Sequence, residues 1–190
     1  MAKKESSLKN MIISLVVISL VASLALGGIY TITKEPIEIA AKAKQVSAIK
    51  EVLPEFDSLY SYKIMPENGK DSVAVHMGYT GDSLVGIAIA SYSDHGYNAT
   101  QIQLMVGFLP DSTIQNISVV QQNETPGLGT KMKEPKFKDQ FNTADPAVFK
   151  LKVKKDGGDV DAITAATISS RAFCDAVDQA WQTYQKKGGN

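Results

Sequence analysis

The chain has 190 residues, 20 Lys plus Arg balanced by 20 Asp plus Glu, and a single cysteine, Cys174. This length holds one domain of moderate size, the balanced charge gives no footprint for nucleic acid, and a lone cysteine excludes an internal disulfide. His76 and His95 are the only histidines, and no Cys or His cluster has metal-ligand spacing.

The first ten residues are basic, with Lys3, Lys4 and Lys9 offset by Glu5. Met11 to Tyr30 then run without a charge. A helix of about 20 residues spans a hydrocarbon core of roughly 30 Å, so 11–30 is expected to cross a lipid bilayer. Its serines can bond back to helix carbonyls, and Tyr30 suits the membrane interface. A cleaved signal peptide is the rival, with Ser23-Leu24-Ala25 as a cleavage site. The apolar run is longer than a signal core and lacks a polar region after it. Basic residues before the span predict that the remainder lies outside the cytoplasmic membrane.

Residues 31–54 read as a linker and an amphipathic helix. Pro36 suits the first turn of that helix, Ile37, Ile39, Ala40, Ala43, Val46, Ile49 and Leu53 its apolar face, and Pro54 its end. This helix serves either as a stalk or as a packing element of the domain that follows, at 55–190. There the pattern turns to strands: Ser72–Tyr79, a hairpin turn at Thr80–Ser83, then Leu84–Ala90, Thr100–Phe108 and Ile114–Gln121. Short connections imply antiparallel pairing, and helices at both ends give an α+β fold. Pro135–Phe141 reads as a short helix or turn with Phe137 and Phe141 facing one core. Phe149–Val153 alternates like a strand, with Lys150, Lys152 and Lys154 on one solvated face or docking patch.

Two loops interrupt the strands. Ser93–Asn98 is a polar connection or a binding loop. Gln122–Thr130 holds Glu124-Thr125-Pro126-Gly127-Leu128-Gly129, a tight path that lets main chain approach a flat ligand. Lys155–Gly158 is turn chemistry. Beyond it lie the hydroxyls Thr164, Thr167 and Ser169 among small alanines. After Ser170, Phe173, Val177, Ala180, Trp181 and Tyr184 recur at helical spacing and are expected to form one buried face. By spacing alone, this is either a helix capped by Ser169 or Ser170, or a helix start that faces an anion. Cys174 falls on the helix as a small packed residue.

The stretch Asp161 to Ser169, reading Asp-Ala-Ile-Thr-Ala-Ala-Thr-Ile-Ser, resembles the flavin-attachment motif of the FMN-binding domain family. That motif is Asp, two variable residues, Ser or Thr, Gly, Ala, Thr, one variable residue, then Ser or Thr. Ala165 stands where the family has glycine, and alanine restricts φ. Glu124–Gly129 is similar to a second signature of the same family. The whole order of basic N-terminus, span, helix, domain and motif resembles the G subunits of Rnf-type ion-translocating electron-transport complexes. The C subunit of the sodium-pumping NADH:quinone reductase is related and is the alternative.

The resemblance implies FMN joined covalently through a phosphoester to Thr167 by a flavin transferase. It implies a role for Asp161 in that transfer, phosphate contacts from Thr164 and Ser169, and a ring lined by Glu124, Thr125, Gly127, Leu128 and Gly129. The implied protein is a single-pass electron carrier of a bacterial cytoplasmic membrane, its domain on the periplasmic side. It works with other Rnf-type subunits that couple ferredoxin oxidation and NAD⁺ reduction to ion translocation. No residue is expected to be a catalytic acid or base. A cofactor-free tethered binding module and a free-standing flavin reductase are the readings from other classes.

Overall fold

The computed structural model describes residues 7–66 and 70–188. Lys3, Lys4 and Glu5 therefore lie outside the described residues. Two compact units result, 1–43 and 44–190.

Helix α1, Leu8–Val52, is one continuous helix of 45 residues. It is long and apolar enough to cross a membrane, and none of its most apolar stretch is buried. Ser19 and Ser23 donate to the carbonyls of Leu15 and Ser19, both at 2.8 Å, so the hydroxyls are satisfied within the helix in an apolar setting. The expectation that a second helix starts at Pro36 is corrected, because Pro36 lies inside α1. Proline removes one N–H, but its fixed φ is already helical and its flanks favour helix, so the helix continues. Ile37, Ile39 and Val46 are exposed, and burial begins only with Ala48, Ile49 and Val52.

The 44–190 unit is built on a five-stranded antiparallel meander in the order β1-β2-β3-β4-β5. The strands are β1 Ser58–Ile64, β2 Val73–Thr80, β3 Ser83–Ser93, β4 Ile102–Phe108 and β5 Ile114–Gln121. β1 has no counterpart among the expected strands; Tyr60, Tyr62 and Ile64 alternate with Ser61 and Lys63, but it is a short, mostly exposed edge strand in which only Tyr62 and Ile64 pack partly against the core. Side-chain alternation sends Ile87, Ile89, Leu104, Val106 and Ile117 to one face and Ala88 and Met105 to the other. A C-terminal helix, Thr167–Gly188, covers the first face with Ala172, Phe173, Ala176, Val177 and Ala180. The last turn of α1, with Leu53, covers the second.

Helix α2, Pro135–Lys138, and the 3-10 turn Asp139–Phe141 bring Phe137 and Phe141 against Phe173 of the C-terminal helix, which is α3 in chain order. The alternation at Phe149–Val153 is real in burial, since Leu151 and Val153 are buried. The segment is nevertheless no strand of the sheet. Its backbone closes locally on 159–160, with Asp159 N–H donating to the Lys150 carbonyl and Val160 N–H to that of Lys152. Cys174 is buried, and burial pushes its thiol up to about 12, consistent with a packing role.

Candidate functional site

In a meander, the β3–β4 connection and the exit of β5 fall at the same end of the sheet; Ser93 pairs with Ile102 and Gln103 with Gln121. The two loops singled out in the sequence therefore converge, and the start of α3 meets them. A cavity of about 400 Å³ lies between them, lined by Tyr97, Glu124, Thr125, Leu128, Gly129 and residues 165–169. That volume is in the ~300–1,000 Å³ range of small-molecule sites.

Two turns with the same signature form opposite walls. Thr125 to Leu128 closes with Leu128 N–H donating to the Thr125 carbonyl at 3.1 Å, and Gly127 has φ +75°. Pro126 and Gly127 are the residues a type II turn selects at its two central positions. Ile163 to Ala166 closes with Ala166 N–H donating to the Ile163 carbonyl at 3.0 Å, and here the third residue, Ala165, has φ +61°. That left-handed conformation explains why the family motif has glycine at this position.

Helix α3 begins directly after the second turn, so Thr167 is its first residue and lies half-buried on the cavity. The first N–H groups of a helix have no partner within it, and its dipole places partial positive charge there. Neither Ser169 nor Ser170 is the cap; both lie inside the first turn and are buried. Ser170 Oγ donates to the Ala166 carbonyl and accepts from Ile163 N–H, each at 2.9 Å, which locks the turn onto the helix. Ser169 Oγ donates to Glu124 across the cavity base. Gly129 is required by this approach, because a Cβ there would lie 2.5 Å from Ser169 Oγ and 2.8 Å from a Glu124 carboxylate oxygen. Leu128, Ile168 and Tyr97 are exposed and give the cavity an apolar rim.

Thr167, Ser169, Glu124, Thr125, Leu128 and Gly129 thus share one cavity. Gly127 shapes its wall without lining it. Thr164 and Asp161 line a neighbouring cavity of about 180 Å³ with Lys131, Lys136 and Gln140. Asp161 is exposed and pairs with Lys154 at 2.8 Å, so the lysine face is partly engaged. Arg171 grips Asp156 through two 2.7 Å bonds, which hold that carboxyl below its usual range and pin the glycine-rich turn to α3. Tyr97 and Ile168 are site residues that sequence reasoning does not single out. For Tyr97 the available signal is an aromatic residue in the otherwise polar Ser93–Asn98 loop.

The FMN-binding domain model matches residues 96–182, which include the second half of the Ser93–Asn98 loop, the Gln122–Thr130 loop, β4, β5 and most of α3. The G subunit of the ion-translocating oxidoreductase complex of Methanosarcina acetivorans is 34% identical over 175 residues, 90% of this chain and 91% of that one. The chain belongs to the G-subunit family of ion-translocating oxidoreductase complexes. A second member, the G subunit of the Na⁺-translocating ferredoxin:NAD⁺ oxidoreductase complex of Acetobacterium woodii, is 30% identical over 185 residues, 90% of this chain and 88% of that one. The solved NqrC of Shewanella oneidensis aligns at TM-score 0.42 and 17% identity, over 64% of this chain and 62% of that one.

The cavity fits an FMN group. A half-buried hydroxyl sits at a helix N-terminus suited to a phosphate, on a cavity whose rim of Leu128, Ile168 and Tyr97 offers a flat ring apolar contact. Thr164 and Asp161 lie on the neighbouring cavity rather than on this one.

Proposed function

We propose that the chain is the membrane-anchored electron carrier of an Rnf-type complex, with FMN joined to Thr167 Oγ1 by a phosphoester. The flavin supplies one-electron redox chemistry when bound; the protein supplies the tether, the orientation and the electrostatics. One observation carries the reading: Thr167 opens α3 on the same cavity that the Glu124–Gly129 turn walls on its other side. The helix start favours the phosphate, and Leu128, Ile168 and Tyr97 offer the ring apolar contact. Asp161 and Thr164, exposed on the adjoining surface, suit recognition by a flavin transferase. A covalent tether keeps the cofactor from being lost outside the cell. Residues 11–30 form the single span and 1–10 the cytoplasmic end. Residues 31–54 lead to a periplasmic domain at 55–190. Partner subunits couple electron flow between ferredoxin and NAD to ion translocation.

The test is production of the full chain together with a flavin transferase, followed by in-gel fluorescence after denaturation and peptide mapping. Wild-type protein is expected to fluoresce, with the flavin on the Thr167 peptide. Thr167→Ala should lose the band while remaining folded, and Thr167→Ser should keep part of it. Flavin that maps to Thr164, or persists on Thr167→Ala, rejects the assignment.

A further inference from the structure

Glu124 is 3% exposed, and none of the ion pairs among the described residues includes it. Its carboxylate receives hydrogen bonds from two elements that wall the cavity. Ser169 Oγ donates from the first turn of α3, and Asn98 N–H donates at 3.2 Å from the β3–β4 loop. The Asn98 side chain adds a bond to the Asn123 carbonyl, next to Glu124 in the chain. One carboxylate therefore joins all three segments around the cavity. Burying a carboxylate without a cation is costly. A fully apolar contact would hold these segments together without that cost, so the retained charge calls for a use. The positive end of α3 and the two donors make the charge tolerable without cancelling it.

We propose that Glu124 is a positioning and potential-setting residue for the flavin. This inference rests on the reading above that the cavity holds FMN. An electron delivered to a ring in this cavity adds negative charge beside the buried Glu124 side chain. A fixed carboxylate in the cavity wall opposes that charge and holds the reduction potential down. No bond forms or breaks at Glu124; its contribution is a fixed charge in a fixed place.

The experiment is a potentiometric titration, followed by absorbance at one pH, of full-length flavin-loaded protein in detergent. In-gel fluorescence and thermal unfolding run in parallel. Glu124→Gln keeps the side-chain shape and an acceptor for Ser169 but removes the charge. Its midpoint is expected to move to a more positive potential, with a Tm close to wild type. Ser169→Ala keeps the charge and removes a donor that partly neutralises it. Its midpoint is expected to move to a more negative potential. A purely structural latch would change Tm without these opposite shifts. Unshifted potentials, or shifts of the same sign, overturn the inference while leaving the flavin reading intact. If Glu124→Gln takes up no flavin, Ser169→Ala decides, and a wild-type potential there overturns the inference. Wild-type protein that carries no flavin overturns the underlying reading and this inference with it.

Discussion

At the scale of single residues, Ala165 carries the clearest cost. Its φ of +61° places a Cβ in the left-handed region, which disfavours L-residues by roughly 1–2 kcal/mol. Glycine removes that strain but raises the entropy of the unfolded chain, which takes back about 0.5–1 kcal/mol. Ala165→Gly is therefore expected to stabilise the domain by a few tenths to about 1 kcal/mol, read as an increase in urea midpoint at constant slope. A lower midpoint would mean that the turn does not hold this φ. Gly127 meets the same demand differently. Both turns put a positive φ at the third position, yet one uses Pro-Gly and the other Thr-Ala. The second turn is held instead by the Ser170 hydroxyl, which bonds both sides of it.

At the scale of elements, α3 and the end of α1 clamp the sheet from opposite faces. Trp181 is half-buried; it contacts Phe108 at 6.1 Å between ring centroids and stacks on Tyr184 at 5.6 Å. The helical spacing predicts Trp181 and Tyr184 on the buried face, and the structure corrects this, both being half-buried, because Ala180 and Val177 occupy the centre of the contact. Trp181→Ala should cost about 1–3 kcal/mol in chemical denaturation, below the ~3–5 kcal/mol of a fully buried aromatic. On the other face, a Cβ at Gly107 would overlap the Val52 carbonyl. Gly107→Ala should force α1 off β4 and destabilise by at least about 1–3 kcal/mol; a neutral effect would remove the clamp.

The same clamp has a polar component. Glu51 accepts from Ser118 Oγ at 2.6 Å and pairs with Lys138 Nζ at 3.0 Å. Burial pushes its carboxyl up, but the hydrogen bonds from Ser118 and Lys138 and the lysine's charge outweigh this, so the net shift is downward. A depressed folded value gives stability that is present above the ordinary carboxylate value and is lost as pH falls through the folded value. Glu51→Gln is expected to flatten the acid limb of the stability profile below about pH 4.5. An acid limb identical to wild type would assign it to other carboxylates.

At the scale of the whole molecule, sidedness sets what the domain can meet. The apolar stretch of α1 and the lysines before it predict that the domain lies outside the cytoplasmic membrane. A reporter fused to the C-terminus should be active only in a periplasmic-type compartment, and activity of a cytoplasmic reporter there would reverse the topology. The N-terminus should also be intact, since a cleaved signal would leave a chain that begins near Leu26. Family membership points to a component of a larger assembly, and the exposed rim of Tyr97, Leu128 and Ile168 lies on the cavity proposed to hold the flavin.

The sequence by itself determined the apolar N-terminal helix, four of the five strands, the C-terminal helix and the residues that resemble both family motifs. These are signals of period and of local turn chemistry, which short stretches carry whole. It also marked the position of Ala165, where the family has glycine. Tertiary structure alone decided the rest. Edge strand β1 alternates only over Tyr60, Tyr62 and Ile64 and is mostly exposed, so its pairing with β2 is what establishes it. Pro36 breaks helices on average, but one lost bond did not end this one. Phe149–Val153 alternates like a strand yet found its partners in a local closure. That Ser169 turns to Glu124, and that Asn98 reaches the same carboxylate, depends on bringing together residues 26 and 45 positions away from Glu124. No local pattern encodes those separations; the antiparallel meander and the packing of α3 upon it do.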